Sequence, residues 1–164
     1  MTSFEVFVDK DYTVFCAGHF VTYDGDKCEA LHGHNYRAAA RLGGELNDDG
    51  MVFDFVTLKR LLRVICDRLD HRMLLPRHNA RLSMSESEEA VTVRYKQKTY
   101  LFPREDVVFL PISNTTAELL AAWMADELIA ALRSTGQPLP SFVEVEVAES
   151  FGQSALCRRI VTDR

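Results

Sequence analysis

Apolar and polar residues alternate strictly near both ends of this chain, whereas two stretches in between place apolar residues at the spacing of one helical face. Phe4 to Val8 alternates as a strand, Asp9-Lys10-Asp11 predicts a turn, and Tyr12 to Val21 predicts a second strand. Tyr23-Asp24-Gly25-Asp26-Lys27 is loop chemistry, and His32 to Leu42 predicts a third strand that closes at Gly43-Gly44. After the turn signal Asn47-Asp48-Asp49-Gly50, a helix is expected from an Asp54 N-cap through Asp70, burying Leu58, Leu61, Leu62, Ile65 and Leu69. Ala90 to Tyr95 and Thr99 to Phe102 flank Lys96-Gln97-Lys98 as a hairpin. The acidic loop Ser85 to Glu89 precedes it and Val107 to Leu110 follows, so an inserted ribbon or extra sheet edge is expected around residues 85–110. Thr115-x-x-Glu118 has the form of a capping box for a second helix with Leu119, Leu120, Trp123, Met124, Leu128 and Leu132 on its apolar face. Val143, Val145 and Val147 alternate with Glu144 and Glu146, and Ala155 to Val161 is expected to pair back across Gly152. With no internal repeat and no linker, residues 1–164 read as a single α+β domain with two helices layered on one face of an antiparallel sheet.

Composition narrows the partners. A chain of 164 residues with 47% apolar content can bury one sizeable core. A net charge of −5 argues against nucleic acid or an anionic membrane as partner. No run approaches the ~18 apolar residues that a membrane span needs. The four cysteines, Cys16, Cys28, Cys66 and Cys157, are scattered, which favours free thiols and a cytoplasmic setting over a disulfide framework.

Three of the five histidines, His19, His32 and His34, fall within sixteen residues. On a strand, positions i and i+2 share a face, so His32 and His34 project together across Gly33, and a paired strand can bring His19 opposite them. Three imidazoles with no cysteine pair to close the shell have the character of a catalytic metal site with an open position, and zinc suits the donors. His78, in a polar loop, reads as an ordinary hydrogen-bonded histidine. Cys28 lies in a polar loop beside Lys27 and close to the expected cation, an environment that favours thiolate and a catalytic role. Asp70-His71 at a helix end is either a simple termination signal or a carboxylate-oriented imidazole for proton transfer. Glu149 shares the valine face of its strand, so it is either a solvated strand end or an inward carboxylate that needs a partner such as an amidine-like N–H pair.

Cys28-x3-His32-Gly33-His34-Asn35-Tyr36, Ala17-Gly18-His19, Leu69-Asp70-His71, Thr115-Thr116-Ala117-Glu118 and Val145-Glu146-Val147-Ala148-Glu149 resemble, in that order, the 6-pyruvoyl- and 6-carboxy-tetrahydropterin synthase family. The resemblance spans most of the chain outside Arg77 to Leu110. It implies a T-fold (tunnelling fold) subunit assembling into a ring-based homo-oligomer, typically a hexamer, with sites between subunits. It implies zinc on His19, His32 and His34, a zinc-dependent lyase activity on 7,8-dihydroneopterin triphosphate, and a 6-carboxy- or 6-pyruvoyl-tetrahydropterin product with elimination of triphosphate. By the same resemblance Cys28, Asp70 and His71 are catalytic proton carriers, while Glu149 and Thr116 bind the pterin. The 6-carboxy branch feeds queuosine synthesis. Glu29, directly after Cys28, departs from the pattern, because members with glutamate in place of the cysteine cleave the same substrate to 6-hydroxymethyl-dihydropterin in a folate bypass. A metal- or pterin-binding module without catalysis is the alternative of another class.

Overall fold

The computed structural model describes residues 3–162. In chain order it contains β1 (Phe4–His19), β2 (Thr22–Tyr23), β3 (Lys27–Cys28), β4 (His32–Gly44), α1 (Phe55–Leu69), β5 (Arg72–Pro76) and β6 (Ser83–Glu86). These are followed by β7 (Ala90–Tyr95), β8 (Lys98–Pro103), β9 (Val107–Leu110), α2 (Ala117–Arg133), β10 (Phe142–Ser150) and β11 (Gln153–Ile160). A six-stranded sheet in the order β11-β10-β4-β1-β5-β9 is the frame.

The turn expected at Asp9-Lys10-Asp11 does not form. β1 runs straight through it, with a register shift against β4 between Asp9 and Val14. The buried Thr13 hydroxyl lies 2.8 Å from the carbonyl oxygens of Lys10 and Ala38, so the polar groups displaced by the bulge are satisfied locally.

The four strands β11, β10, β4 and β1 pair antiparallel as expected, but β5 and β9 join the β1 edge in parallel. A parallel neighbour requires a crossover, and α1 supplies it between β4 and β5. Met73, Leu74, Leu75 and Pro76 are all buried, a continuous apolar run of the kind found in strands covered on both sides. Leu74 and Leu110 face the main core beneath the helices, together with Phe15, Tyr36, Leu42, Leu62, Trp123 and Val145. Met73, Leu75 and Val107 face a second core with Phe20, Leu82, Val91, Val93 and Tyr95.

That second core is capped by a three-stranded sheet, β6-β7-β8. The expected inserted hairpin is therefore present as β7 and β8. The Ser83–Glu86 segment, partly read as loop, adds a third strand, and Val107 to Leu110 belongs to the main sheet instead.

Both helices start on side-chain caps. The Asp54 carboxylate accepts hydrogen bonds from the Val56 N–H at 3.1 Å and the Thr57 N–H at 2.8 Å. The expected capping box does not form on α2: Thr116 is the N-cap, accepting from the Leu119 N–H at 3.4 Å. The Thr115 hydroxyl is instead drawn into the protein, where it donates to the Phe20 carbonyl at 3.1 Å. None of the described helices is long and apolar enough to cross a membrane.

The cap has a consequence in acid. Hydrogen bonds from the Thr57 hydroxyl and N–H, followed by that from Val56, hold Asp54 below the ordinary carboxylate range. A carboxylate depressed in the folded state contributes stability above its unfolded pKa, and that contribution is lost as pH falls through the folded value. Thermal melts of wild-type protein and Asp54→Ala from neutral pH to about pH 2 are expected to differ most at neutral pH, with the variant lower. The gap closes as Asp54 protonates. A gap that persists unchanged at the acid end would show that the cap acts through something other than its charge.

Candidate active site

The β1–β4 register puts His19 directly opposite His32, and Ala17 opposite His34. Strand pairing therefore gathers the three imidazoles, which offer one ring nitrogen each within 4.8 Å of one another. Two of the rings are oriented from behind. His19 Nδ1 is 2.9 Å from the Thr115 carbonyl, and His32 Nδ1 is 2.9 Å from the Ala30 carbonyl. A carbonyl only accepts, so both Nδ1 atoms carry the proton and both Nε2 atoms present lone pairs. His32 Nε2 then faces His34 Nε2 at 3.1 Å, while His19 Nε2 is buried with no protein partner. Burial pushes the His19 pKa down to about 4, so its ring is neutral near pH 7, as a metal ligand must be. Two lone pairs set by carbonyls behind His19 and His32, the first of them without a partner among the described residues, together with a ring nitrogen of His34 within 4.8 Å, fit a bound divalent cation.

The orphaned nitrogen opens on a cleft of about 490 Å³, bordered by His19, His32, Glu29, Thr116, Glu118 and Glu149 among others. Of the described residues lining it, none is Lys or Arg. Glu29 is held against the metal face: its Oε2 accepts from the Val21 N–H at 3.2 Å and lies 4.0 Å from His32 Nε2, and its own N–H donates to the Val21 carbonyl at 3.0 Å. Glu149, near the end of β10, is half-buried and lines the same cleft.

Cys28 is not brought to the cleft. Neighbouring residues of an extended segment point to opposite sides, so with Glu29 facing the histidines Cys28 packs against the second core. Its Sγ is 3.5 Å from the Glu29 carbonyl. In the protein alone, burial pushes the thiol pKa up, and the Lys98 ammonium offsets this only in part. Cys66 is buried, and burial raises its pKa to about 12. Cys16, by contrast, is exposed on β1.

Asp70 and His71 do form a pair, with His71 Nδ1 3.0 Å from Asp70 Oδ2. The other carboxylate oxygen accepts from the Cys16 N–H at 2.7 Å, a bond that holds Asp70 below its usual range. The His71 backbone is left-handed (φ 55°) and its side chain is 83% exposed, outside the cleft of its own chain.

Gly33 separates two of the three histidines. A Cβ built there would lie 3.0 Å from the Ala17 carbonyl oxygen, a backbone atom in the facing strand. Gly33→Ala is therefore expected to part β1 from β4 beside the triad and to weaken metal binding by about ten-fold, measured by competition with a chromophoric chelator. Unchanged affinity would mean that the strands absorb the methyl group without moving the rings.

The sequence model described as 6-pyruvoyl tetrahydropterin synthase matches residues 9–159. A Methanocaldococcus jannaschii protein provisionally named 6-carboxy-5,6,7,8-tetrahydropterin synthase is 35% identical over 146 residues, covering 88% of this chain and 89% of that protein. The Haemophilus influenzae 6-carboxy-5,6,7,8-tetrahydropterin synthase is 30% identical over 127 residues, 74% of this chain and 80% of its own. The crystal structure of Plasmodium vivax 6-pyruvoyltetrahydropterin synthase superposes with a TM-score of 0.91 at 31% identity, covering 98% of this chain and 100% of that one. Two further structures of the P. vivax enzyme, in which a catalytic glutamate is replaced by alanine or by cysteine, also superpose with TM-scores of 0.91. With its T-fold arrangement of sheet and helices and this match across the chain, the protein belongs to the 6-pyruvoyl tetrahydropterin synthase family.

Proposed function

We propose that this protein is a zinc-dependent lyase acting on 7,8-dihydroneopterin triphosphate, with Glu29 as the group that first takes a proton from the substrate side chain. The observation that carries this reading is that one cleft is lined by His19 and His32 of the triad, by Glu29 4.0 Å from His32, and by Glu149. His19, His32 and His34 would hold the metal, which when bound supplies Lewis-acid stabilisation of charge developing on the side-chain oxygens.

Glu149 binds the pterin. A carboxylate accepts in bidentate fashion from a ring N–H and an amino group, which fixes the heterocycle and points its side chain at the triad. Thr116 lines the same cleft. Glu29 is fixed by the Val21 N–H with its second oxygen left to accept a proton. Asp70 orients His71 for a second proton transfer, delivered to a neighbouring copy's cleft in a ring-shaped homo-oligomer, a hexamer by family resemblance. The exposure of His71 and the lack of a Lys or Arg among the described lining residues support a cleft completed from outside its own chain, where a triphosphate would find its cations.

Two product classes follow from which residue takes the proton. Removal of a carbon-bound proton by Cys28 leads to a 6-carboxy- or 6-pyruvoyl-tetrahydropterin with loss of triphosphate. Removal of a side-chain hydroxyl proton by Glu29 lets that oxygen become a carbonyl as the adjacent C–C bond breaks with its electrons passing into the conjugated ring; the ring-side carbon then regains a proton, giving 6-hydroxymethyl-dihydropterin and a two-carbon aldehyde that carries the triphosphate away. The position of Glu29, and the catalytic glutamate named in the Plasmodium vivax structures, favour the second. Incubating the zinc-loaded protein with 7,8-dihydroneopterin triphosphate and identifying the pterin by mass spectrometry is expected to show 6-hydroxymethyl-dihydropterin. A 6-carboxy or 6-pyruvoyl product would return the base to Cys28, and no turnover would reject the enzyme reading.

A further inference from the structure

We infer that the inserted sheet β6-β7-β8 is a clamp on the loop that carries Glu29, and that Lys98 and Tyr95 are positioning residues for it; this rests on the reading of Glu29 as the proton acceptor. Donors from the β7–β8 hairpin converge on the carbonyl oxygens of that loop. The Tyr95 hydroxyl donates to the Asp26 carbonyl. Lys96 Nζ donates to the same carbonyl at 2.7 Å and to the Asp26 carboxylate at 3.0 Å. Lys98 Nζ donates to the carbonyls of Cys28 and Glu29, at 3.3 Å each.

These contacts come from about seventy residues further along the chain. Within the loop itself the support is the two-residue pairing of β2 with β3, the Asp26 N–H to the Asp24 carbonyl, the Glu29 N–H to the Val21 carbonyl, the Val21 N–H to the Glu29 carboxylate, and the Lys27–Asp24 ion pair at 2.8 Å. Asp24 and Gly25 both adopt positive φ, at 45° and 72°. Short pairings exposed to water open easily. Lys96 itself sits at φ 50° in the hairpin turn, a conformation that favours glycine. A lysine kept there places a third donor over the loop.

Underneath, Tyr95, Val91 and Val93 are buried in the second core with Phe20, the residue that follows the ligand His19. One rigid body thus touches the catalytic segment from both sides: apolar contact next to His19, and hydrogen-bond donors at Cys28 and Glu29. Holding the Glu29 carbonyl fixes where its carboxylate lies relative to the cleft, and misplacement of a catalytic group by about 1 Å costs orders of magnitude in rate.

The test is hydrogen exchange and steady-state kinetics on the zinc-loaded protein carrying Tyr95→Phe and Lys98→Met. Both changes keep the apolar bulk and remove only the donors. Exchange at the Asp26 and Glu29 amides is expected to rise by about ten-fold, with β1 and β4 amides unchanged. kcat should fall by about ten-fold with KM held within about two-fold, and Lys98→Arg alone should stay close to wild type. Unchanged exchange in the loop overturns the clamp, and faster exchange with unchanged kcat overturns the positioning role. If even the wild-type protein turns nothing over, the catalytic reading fails separately, and the exchange comparison still upholds or overturns the clamp.

Discussion

Glu29→Gln is expected to lower turnover of 7,8-dihydroneopterin triphosphate by about a thousand-fold while leaving zinc content and melting temperature near those of the wild type. Glutamine keeps the volume and can still accept from the Val21 N–H, the bond that fixes the side chain. What it cannot do is take up a proton at the cleft. Metal retention follows because His19, His32 and His34 supply the ring nitrogens and Glu29 stays 4.0 Å from the nearest of them. Cys28→Ala serves as the contrast, since the thiol packs toward the second core and burial keeps it protonated. Its loss is expected to leave formation of 6-hydroxymethyl-dihydropterin within about ten-fold of wild type, by the ordinary range of indirect effects. Equal collapse of both variants would place the thiol in the reaction path as well.

Removal of His19 is expected to be the most damaging single change. His19→Ala takes away one of three ring nitrogens, leaves the Thr115 carbonyl without its partner, and opens a void in a position only 1% exposed. Zinc binding should fall below stoichiometric and turnover below detection. The metal-free protein should also lose about 2 kcal/mol of stability, from the void and the unpaired carbonyl together. His32→Ala separates the two effects, because that side chain is 39% exposed where His19 is buried. It should lose metal with little change in the melting point of the metal-free protein. If His19→Ala bound zinc normally, the orphaned Nε2 would need another explanation.

The parts of the fold legible in the sequence were those governed by a clean period. Alternation placed His32 and His34 on one face and a paired strand opposite them, and the observed His19–His32 pairing follows directly. Helical spacing found the buried face of α1, with Leu58, Leu62, Ile65 and Leu69 all inside. Legibility ended where one signal has two meanings. The run Met73 to Pro76 lacks alternation because both of its sides are covered, and that cover comes from residues far along the chain. Ser83 to Glu86 is too polar to announce a strand, yet pairing with β7 makes it one. Thr115 and Thr116 are equivalent as cap candidates until the Phe20 carbonyl claims the first hydroxyl.

The candidate site divides along the same line. Residue type and spacing marked the triad, whereas Asp70, His71 and Glu149 stayed open between two readings on pattern alone and took on roles only through the family resemblance. The choice between Cys28 and Glu29 depended on which way a short extended segment faces. That orientation is fixed by hydrogen bonds to Val21 and Lys98, and the second of these lies seventy residues away in the inserted sheet.

X-ray absorption at the zinc edge of the loaded protein tests the central claim most directly, because it reports the donors themselves. Three histidines with an open fourth position predict nitrogen and oxygen scatterers at ~2.0–2.1 Å and no sulfur. A sulfur scatterer at ~2.3 Å would put Cys28 on the metal and contradict both the triad as the complete protein ligand set and the packing of the thiol against the second core.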